Sequence, residues 1–115
     1  MKEYQIQIKL INYLKSKKLS KFRFFHIPNQ GIRSIAYKML LSSMGMKSGC
    51  PDLILEFKGG KIVYIEIKTA KGVLSKSQKL WLNTSNSLKT PHYILKGEIN
   101  DLIIQLNNII NKYYN

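Results

Sequence analysis

The chain has 115 residues, of which 44% are apolar, and this size suits one domain, residues 1–115, with a single hydrophobic core. Its 19 Lys and Arg against 6 Asp and Glu give a formal net charge of +13. That charge favours nucleic acid as partner over an acidic membrane, because no segment resembles a basic amphipathic anchor. The lone Cys50 excludes an internal disulfide and a multi-cysteine zinc site.

Cellular location is predicted from the same features. A single thiol suits a reducing compartment, and no apolar run is long enough for a signal peptide or a membrane span. We therefore expect a soluble, cytoplasmic protein, in a bacterial cell or in a virus-infected host cell.

The first half of the chain predicts a helix, a strand and a shorter helix. Apolar residues at helical spacing indicate the first helix, from residue 2 to about residue 18. The aromatic segment from Phe22 to Ile27 predicts a strand, which the loop signal Pro28-Asn29-Gln30-Gly31 ends. Residues 33 to 44 predict a short helix, followed by a glycine-containing approach to Pro51.

The second half begins with two strands, Asp52 to Phe57 and Lys61 to Thr69, joined as a hairpin. A helix from Ser75 to Leu88 follows, then a strand from His92 to Lys96, and an apolar stripe from Ile99 to Tyr113 predicts a C-terminal helix. The resulting order, α-β-β-β-α-β-α, predicts an α/β fold with helices against a small mixed central sheet.

Strand alternation gives the second hairpin strand two different faces. Glu66 and Lys68 point to one face, whereas Val63, Ile65 and Ile67 point to the other and can bury against a helix. The position of Asp52 depends on the turn. A two-residue Gly59-Gly60 turn places Asp52 on the face opposite to Glu66, and a three-residue loop, residues 58–60, sets it directly across from Glu66. A bulge near Glu66 is a further way to bring the two together.

Asp52, Glu66 and Lys68 together are typical of metal-dependent phosphodiester hydrolysis. Two converging carboxylates repel each other unless a cation neutralises them, and hard oxygen ligands suit Mg²⁺, with Mn²⁺ able to substitute. Such a metal activates water and stabilises charge on the phosphate, and a lysine ammonium adds to that stabilisation. The structural alternative is that Glu66 and Lys68 only decorate a solvent-facing strand.

The ordered motifs resemble a known nuclease family. Gly49-x-Pro51-Asp52, residues 64–69 and Gly72-x-Leu74-Ser75-x-x-Gln78 are similar to the virus-type replication-repair nuclease (VRR-NUC) domain of the PD-(D/E)xK nuclease superfamily. The resemblance extends back to Glu3-x-x-Ile6-Gln7 and Pro28-Asn29-x-Gly31, and is looser over residues 30 to 48. It implies a restriction-endonuclease-like core of order α-β-β-β-α-β, here with an extra C-terminal helix.

The resemblance also implies a role for each matching residue. Asp52 and Glu66, with the main-chain carbonyl of Ile67, would be metal ligands, and Lys68 would be the catalytic lysine. Glu3 would complete the acidic cluster, directly or through water, and Gln78 would border the site. Two alternatives stay open, since an acidic residue is favourable in a helix's first turn and Gln78 also completes a capping box with Ser75.

Basic and polar residues outside this set predict the DNA contacts. Lys71, Lys76 and Lys79 flank the helix that follows the active-site strand, and Asn29, Gln30 and Arg33 lie on the earlier loop. Such residues hold phosphates rather than read bases, and no helix-turn-helix or zinc-finger signature is present in the sequence. His26 is expected to pack or to face DNA rather than to act as a general base.

The predicted function is a Mg²⁺-dependent DNA endonuclease, selective for branched or four-way (Holliday) junction DNA in viral or cellular replication and repair. Cutting a four-way junction symmetrically takes two active sites, so a homodimer is expected. The alternative is a DNA-binding module, or a replication-complex subunit, that has the nuclease fold without independent activity. A sequence-specific restriction enzyme is less favoured, because the chain is too short for an evident recognition insert.

Overall fold

A computed structural model describes residues 1–17, 22–27, 34–45 and 47–114 of the chain. Four helices and four strands lie within these ranges: α1 (Glu3–Ser16), β1 (Phe22–His26), α2 (Ile35–Ser43), β2 (Leu53–Phe57), β3 (Lys61–Lys68), α3 (Lys76–Ser87), β4 (His92–Lys96) and α4 (Ile99–Tyr113). The predicted order α-β-β-β-α-β-α is confirmed, and the short helix predicted over residues 33 to 44, which that order leaves out, is present as α2 between the first two strands. Most predicted boundaries differ by only one or two residues, as expected where helix and strand ends fray.

The four strands form one mixed sheet in the order β1-β2-β3-β4. The first three strands pair antiparallel, and β4 pairs parallel to β3 because α3 carries the chain back between them. The mixed sheet predicted from the sequence is therefore confirmed.

The β2–β3 hairpin adopts the three-residue loop of the two turns considered above. Phe57 pairs with Lys61 and Leu53 pairs with Ile65, which leaves residues 58–60 as the loop. Gly59 and Gly60 both adopt positive φ angles, of 84° and 78°, which side chains with a Cβ rarely tolerate. If this register is extended by one residue beyond the Leu53–Ile65 pair, Asp52 lies across from Glu66. A bulge near Glu66 is therefore not needed to bring the two carboxylates to the same face.

One face of the sheet carries the hydrophobic core, against α1 and α4. Val63, Ile65 and Ile67 are completely buried on this face, as strand alternation predicts. Each such side chain stabilises the fold by about 1.5–3 kcal/mol. The helices contribute the buried residues Ile6, Leu10, Leu14, Leu102, Leu106, Ile109 and Ile110. Anchored at its middle and C-terminal turns, α1 places its first turn, with Glu3, beside the acidic end of the hairpin.

The two remaining helices differ in how they pack. Helix α3 packs against β4 and begins with the predicted capping box, in which the Ser75 hydroxyl accepts from the Gln78 N–H and the Gln78 side chain accepts from the Ser75 N–H. Helix α2 buries none of its residues and exposes several large apolar side chains, among them Ile35 and Met39. Among the described parts of the chain, no helix is both long and apolar enough to cross a lipid bilayer.

Candidate active site

Three of the six acidic residues in the chain meet at one point. Glu3 comes from the first turn of α1, Asp52 directly precedes β2, and Glu66 lies in β3. One carboxylate oxygen of each lies within 4.8 Å of the others, close enough to share a cation. Residues far apart in the sequence thus converge in a protein with a net charge of +13. Such a cluster fits the chemistry of a divalent metal, whose preferred ligands are hard oxygens.

Asp52 is held in place by both its side chain and its main chain. Its Oδ2 accepts a hydrogen bond from the backbone N–H of Ile67, at 2.8 Å, and the residue is only 1% exposed. Its carbonyl oxygen accepts from the N–H of Ile27, at 3.0 Å, and from Nδ1 of His26, at 2.9 Å. His26 therefore positions the Asp52 backbone and carries its proton on Nδ1 in the neutral ring.

Glu66 is the most perturbed acid of the cluster. It is 1% exposed, and its Oε2 has no hydrogen-bond partner among the residues that the structure describes. Burial raises the pKa of Glu66 to about 9, and the hydrogen bond and the negative charge of Asp52 act in the same direction. The alternative of a solvent-facing glutamate is wrong, because only 1% of the Glu66 surface is exposed. A buried oxygen without a partner beside two further carboxylates is the arrangement that a bound cation would complete.

Lys68 supplies the positive charge at this site. It lies two residues after Glu66 on the same face of β3, and its ammonium lowers the pKa of Glu66, against the larger effects of burial and Asp52. Its side chain runs past Gly72, where an added Cβ would lie 3.4 Å from it. The lysine is partly exposed, and its catalytic role stays a prediction.

The structure gives less information about the other residues predicted to border the site or to contact DNA. The Gln78 side chain is used in the capping box of α3, so its bordering role at the site stays a prediction. Lys71, Lys76 and Lys79 are exposed on the segment that follows β3 and on the first turn of α3. The carbonyl role of Ile67 also stays a prediction. Asn29, Gln30 and Arg33 lie outside the described residues, as does the motif that begins at Pro28.

Gly49 brings the start of α3 against the segment that leads to Asp52. Its φ is +84°, and an added Cβ would lie 2.9 Å from the backbone nitrogen of Gln78 and closer still to the carbonyl of Ser77. Burial raises the pKa of the neighbouring Cys50 thiol, and the negative charge of Glu66 raises it further. Gly49 therefore sets the distance between α3 and the acidic cluster.

Gly49→Ala is expected to destabilise the protein by about 2–5 kcal/mol, the sum of a left-handed backbone and a steric overlap. Gly59→Ala is the matched control, since Gly59 has the same φ of +84° and no atom within 4 Å of its added Cβ. This control should cost only the backbone part, about 1–2 kcal/mol. Urea unfolding of both variants measures the difference, and equal losses would contradict the close approach at Gly49.

Gln7 has no role predicted from the sequence, although it lies in the motif Glu3-x-x-Ile6-Gln7. Gln7 follows Glu3 by one helical turn, is 9% exposed, and its Nε2 has no partner in the described part of the chain. The sequence does contain one indication of this burial, since Gln7 lies between Ile6 and Leu10 on the stripe of α1 that faces the core. A glutamine is rarely buried unless its amide has a hydrogen-bond partner.

Comparison with known proteins adds the family context. The family model described as the VRR-NUC domain matches residues 2–98, which include α1 through β4 and end just before α4. A solved structure described as a VRR_NUC domain protein has a TM-score of 0.77 at 22% identity, over 100% of this chain and 92% of its own. A second, described as a VRR_NUC domain, has a TM-score of 0.59 at 17% identity, over 97% of each chain. At these identities the structural likeness concerns the fold. No curated protein gave a significant match.

Proposed function

The chain belongs to the VRR-NUC family of nuclease domains, and from that premise we propose that it is a Mg²⁺-dependent endonuclease that hydrolyses phosphodiester bonds in branched DNA. The observation that carries the proposal is the acidic cluster of Glu3, Asp52 and Glu66, with Lys68 on the same strand face as Glu66. A domain that only bound DNA would gain nothing from burying carboxylates where a polyanion must approach.

In this proposal Asp52 and Glu66 would hold the cation, Glu3 would do so directly or through water, and the Ile67 carbonyl would be a further ligand. The ion, when bound, supplies Lewis-acid stabilisation of the phosphate and makes water a stronger nucleophile. The Ile67 N–H fixes the Asp52 carboxylate, which limits the rearrangement needed for binding. Lys68 would direct its ammonium at the non-bridging phosphate oxygens, where negative charge grows during the displacement. Gln78 would border the substrate from the start of α3.

Exposed lysines near the acidic cluster are suited to bind the phosphates of the DNA backbone. Lys71 is exposed on the segment after β3, Lys76 and Lys79 are exposed on the first turn of α3, and we propose that the three hold phosphates on either side of the cut. Such contacts carry no base information, which fits recognition of DNA shape rather than of sequence. We place this activity in the cytoplasm, where a lone thiol such as Cys50 stays reduced.

The direct test is cleavage of synthetic four-way, flapped, nicked and linear DNA by purified protein in Mg²⁺, in Mn²⁺ and in EDTA. Preferential cutting of the branched DNAs, lost in EDTA, is the expected result. Binding of all four DNAs without cutting in either metal would favour the module that lacks activity. Cut ends of one constant sequence in linear DNA would favour a restriction enzyme.

A homodimer is expected because each chain carries one acidic cluster and a symmetric junction cut needs two. Helix α2 offers a pairing surface, since Ile35 and Met39, one helical turn apart, are 78% and 66% exposed and exposed apolar patches mark association sites. Sedimentation measurements at the concentrations used for cleavage should give twice the chain mass. Met39→Lys should shift this equilibrium towards the monomer, and a wild-type protein that sediments as a monomer while cutting junctions symmetrically would contradict the proposed pairing.

A further inference from the structure

A groove of about 480 Å³ lies between α1 and β1, the strand at the edge of the sheet. Tyr4 and Gln7 line it from α1, and Phe25 and His26 line it from β1. Two links join it to the acidic cluster. Tyr4 directly follows Glu3 in α1, and the Nδ1 of His26 donates to the carbonyl oxygen of Asp52 at 2.9 Å. The groove therefore adjoins the point where a scissile phosphate would lie.

Exposed aromatic rings distinguish this groove from a gap in the core. Tyr4 and Phe25 keep 55% and 48% of their surface exposed. Aromatic rings in this position can stack on a nucleobase, which presents a flat π-face whatever its identity. Lys15 also lines the groove, where it can meet a backbone phosphate. Rings together with a cation match the chemistry of a single nucleotide better than that of an apolar peptide.

The third feature is the buried amide of Gln7. This side chain lines the groove, is 9% exposed, and leaves its Nε2 without a partner among the residues described. A buried N–H donor without an acceptor is unfavourable, so such groups are normally satisfied by water or by a ligand. Because Nε2 itself exposes less than 1 Å², the Gln7 side chain would have to rotate to donate to the nitrogen and oxygen acceptors that bases and deoxyribose carry.

We propose that the α1–β1 groove holds one unpaired nucleotide next to the scissile phosphate, with its base stacked on Tyr4 or Phe25 and hydrogen-bonded by Gln7. In a continuous duplex neighbouring pairs cover each base face, so only a nucleotide freed at a flap, a gap or a junction can enter. The inference rests on the proposed nuclease function. It narrows the substrate class to DNA with an unpaired nucleotide beside the cut.

The test places the fluorescent base 2-aminopurine at the first unpaired position of a flapped DNA, bound in Ca²⁺ in place of Mg²⁺. Wild-type protein should change the fluorescence through stacking. Tyr4→Ala and Phe25→Ala should each reduce that change and weaken binding of the flapped DNA roughly 5-fold or more, with little effect on linear duplex. Tyr4→Phe keeps a ring and should restore both. Ile104→Ala is the control, because Ile104 is exposed on α4 and does not line the groove.

The groove and the nuclease function can fail separately in this design. If the wild-type protein cleaves flapped DNA in Mg²⁺ while neither alanine variant alters the fluorescence change, the groove inference is overturned and the nuclease function stands. If Tyr4→Ala alters the sedimentation coefficient and not the fluorescence, the groove holds protein rather than DNA, and the inference is again overturned. If the wild-type protein cuts no DNA, the nuclease function fails first, and the fluorescence in Ca²⁺ still shows whether the groove binds a base.

Discussion

Asp52→Asn and Glu66→Gln are each expected to reduce DNA cleavage by roughly 10³-fold or more, because each removes a negatively charged ligand from the acidic cluster. Both changes nearly preserve side-chain shape. An amide oxygen at position 52 can still accept the Ile67 N–H, which lies 2.8 Å from Oδ2 of Asp52, so the hairpin should keep its geometry. Single-turnover cleavage of a branched DNA in Mg²⁺, with Mn²⁺ titration by calorimetry, measures chemistry and metal affinity side by side.

Two other acidic residues give matched controls for these losses. Asp101→Asn removes a carboxylate from the first turn of α4, and Glu56→Gln removes one from β2, where Glu56 pairs with the exposed Arg23. Neither residue belongs to the acidic cluster, and a surface ion pair such as that of Glu56 contributes little, so both controls should cleave at the wild-type rate. Wild-type cleavage by Asp52→Asn would reject the assigned site.

The Lys68→Met variant distinguishes metal binding from DNA cleavage at the same site. The apolar replacement keeps a long side chain beside Gly72, removes the ammonium and leaves all three carboxylates in place. Cleavage should fall roughly 10²-fold or more, while Mn²⁺ still binds. A loss of Mn²⁺ binding with Lys68→Met would instead indicate that the lysine organises the cluster.

The β2–β3 hairpin shows which part of the site geometry strand alternation predicts from the sequence alone. Alternation places Glu66 and Lys68 on one face of β3. The two glycines are compatible with a two-residue turn, which puts Asp52 on the opposite face, and with a three-residue loop, which puts Asp52 on the same face as Glu66. The choice depends on backbone angles, since Gly59 and Gly60 both take positive φ and leave three residues in the loop. Sequence spacing restricts such angles without determining them.

The membership of Glu3 in the cluster shows a different limit. No local pattern connects the first turn of α1 with Asp52, and only the family resemblance suggested the link. The link forms because Ile6, Leu10 and Leu14 bury one stripe of α1 on the sheet, which carries the helix start to the end of β3. The burial of Glu66, which is 1% exposed, also depends on tertiary packing, since alternation gives the face of a side chain but not what covers it. Gln7 was missed for that reason as well.

Metal removal is expected to make the stability of the folded protein depend strongly on pH. In its absence the pKa of Glu66 is raised to about 9, from an ordinary value of 4.5, chiefly by burial. Between these values the folded state holds a proton that the unfolded chain has released, so the free energy of unfolding falls as pH rises. The slope from this one group approaches about 1.4 kcal/mol per pH unit at its steepest. Thermal melting in EDTA should therefore show a midpoint several degrees lower at about pH 8.5 than at about pH 6.

Mg²⁺ should reverse this trend, because binding requires the deprotonated carboxylates that the metal-free fold disfavours. At about pH 8.5 a concentration of one hundred times the dissociation constant stabilises the folded state by about 2.7 kcal/mol, and the gain should shrink as the pH falls. Glu66→Gln carries a neutral amide at the buried position, so it should melt higher than wild type in EDTA at alkaline pH and respond weakly to Mg²⁺. Glu56→Gln should keep the wild-type slope. If the wild-type midpoint in EDTA rises from pH 6 to pH 8.5, Glu66 is ionised in the metal-free fold and some other group neutralises the cluster.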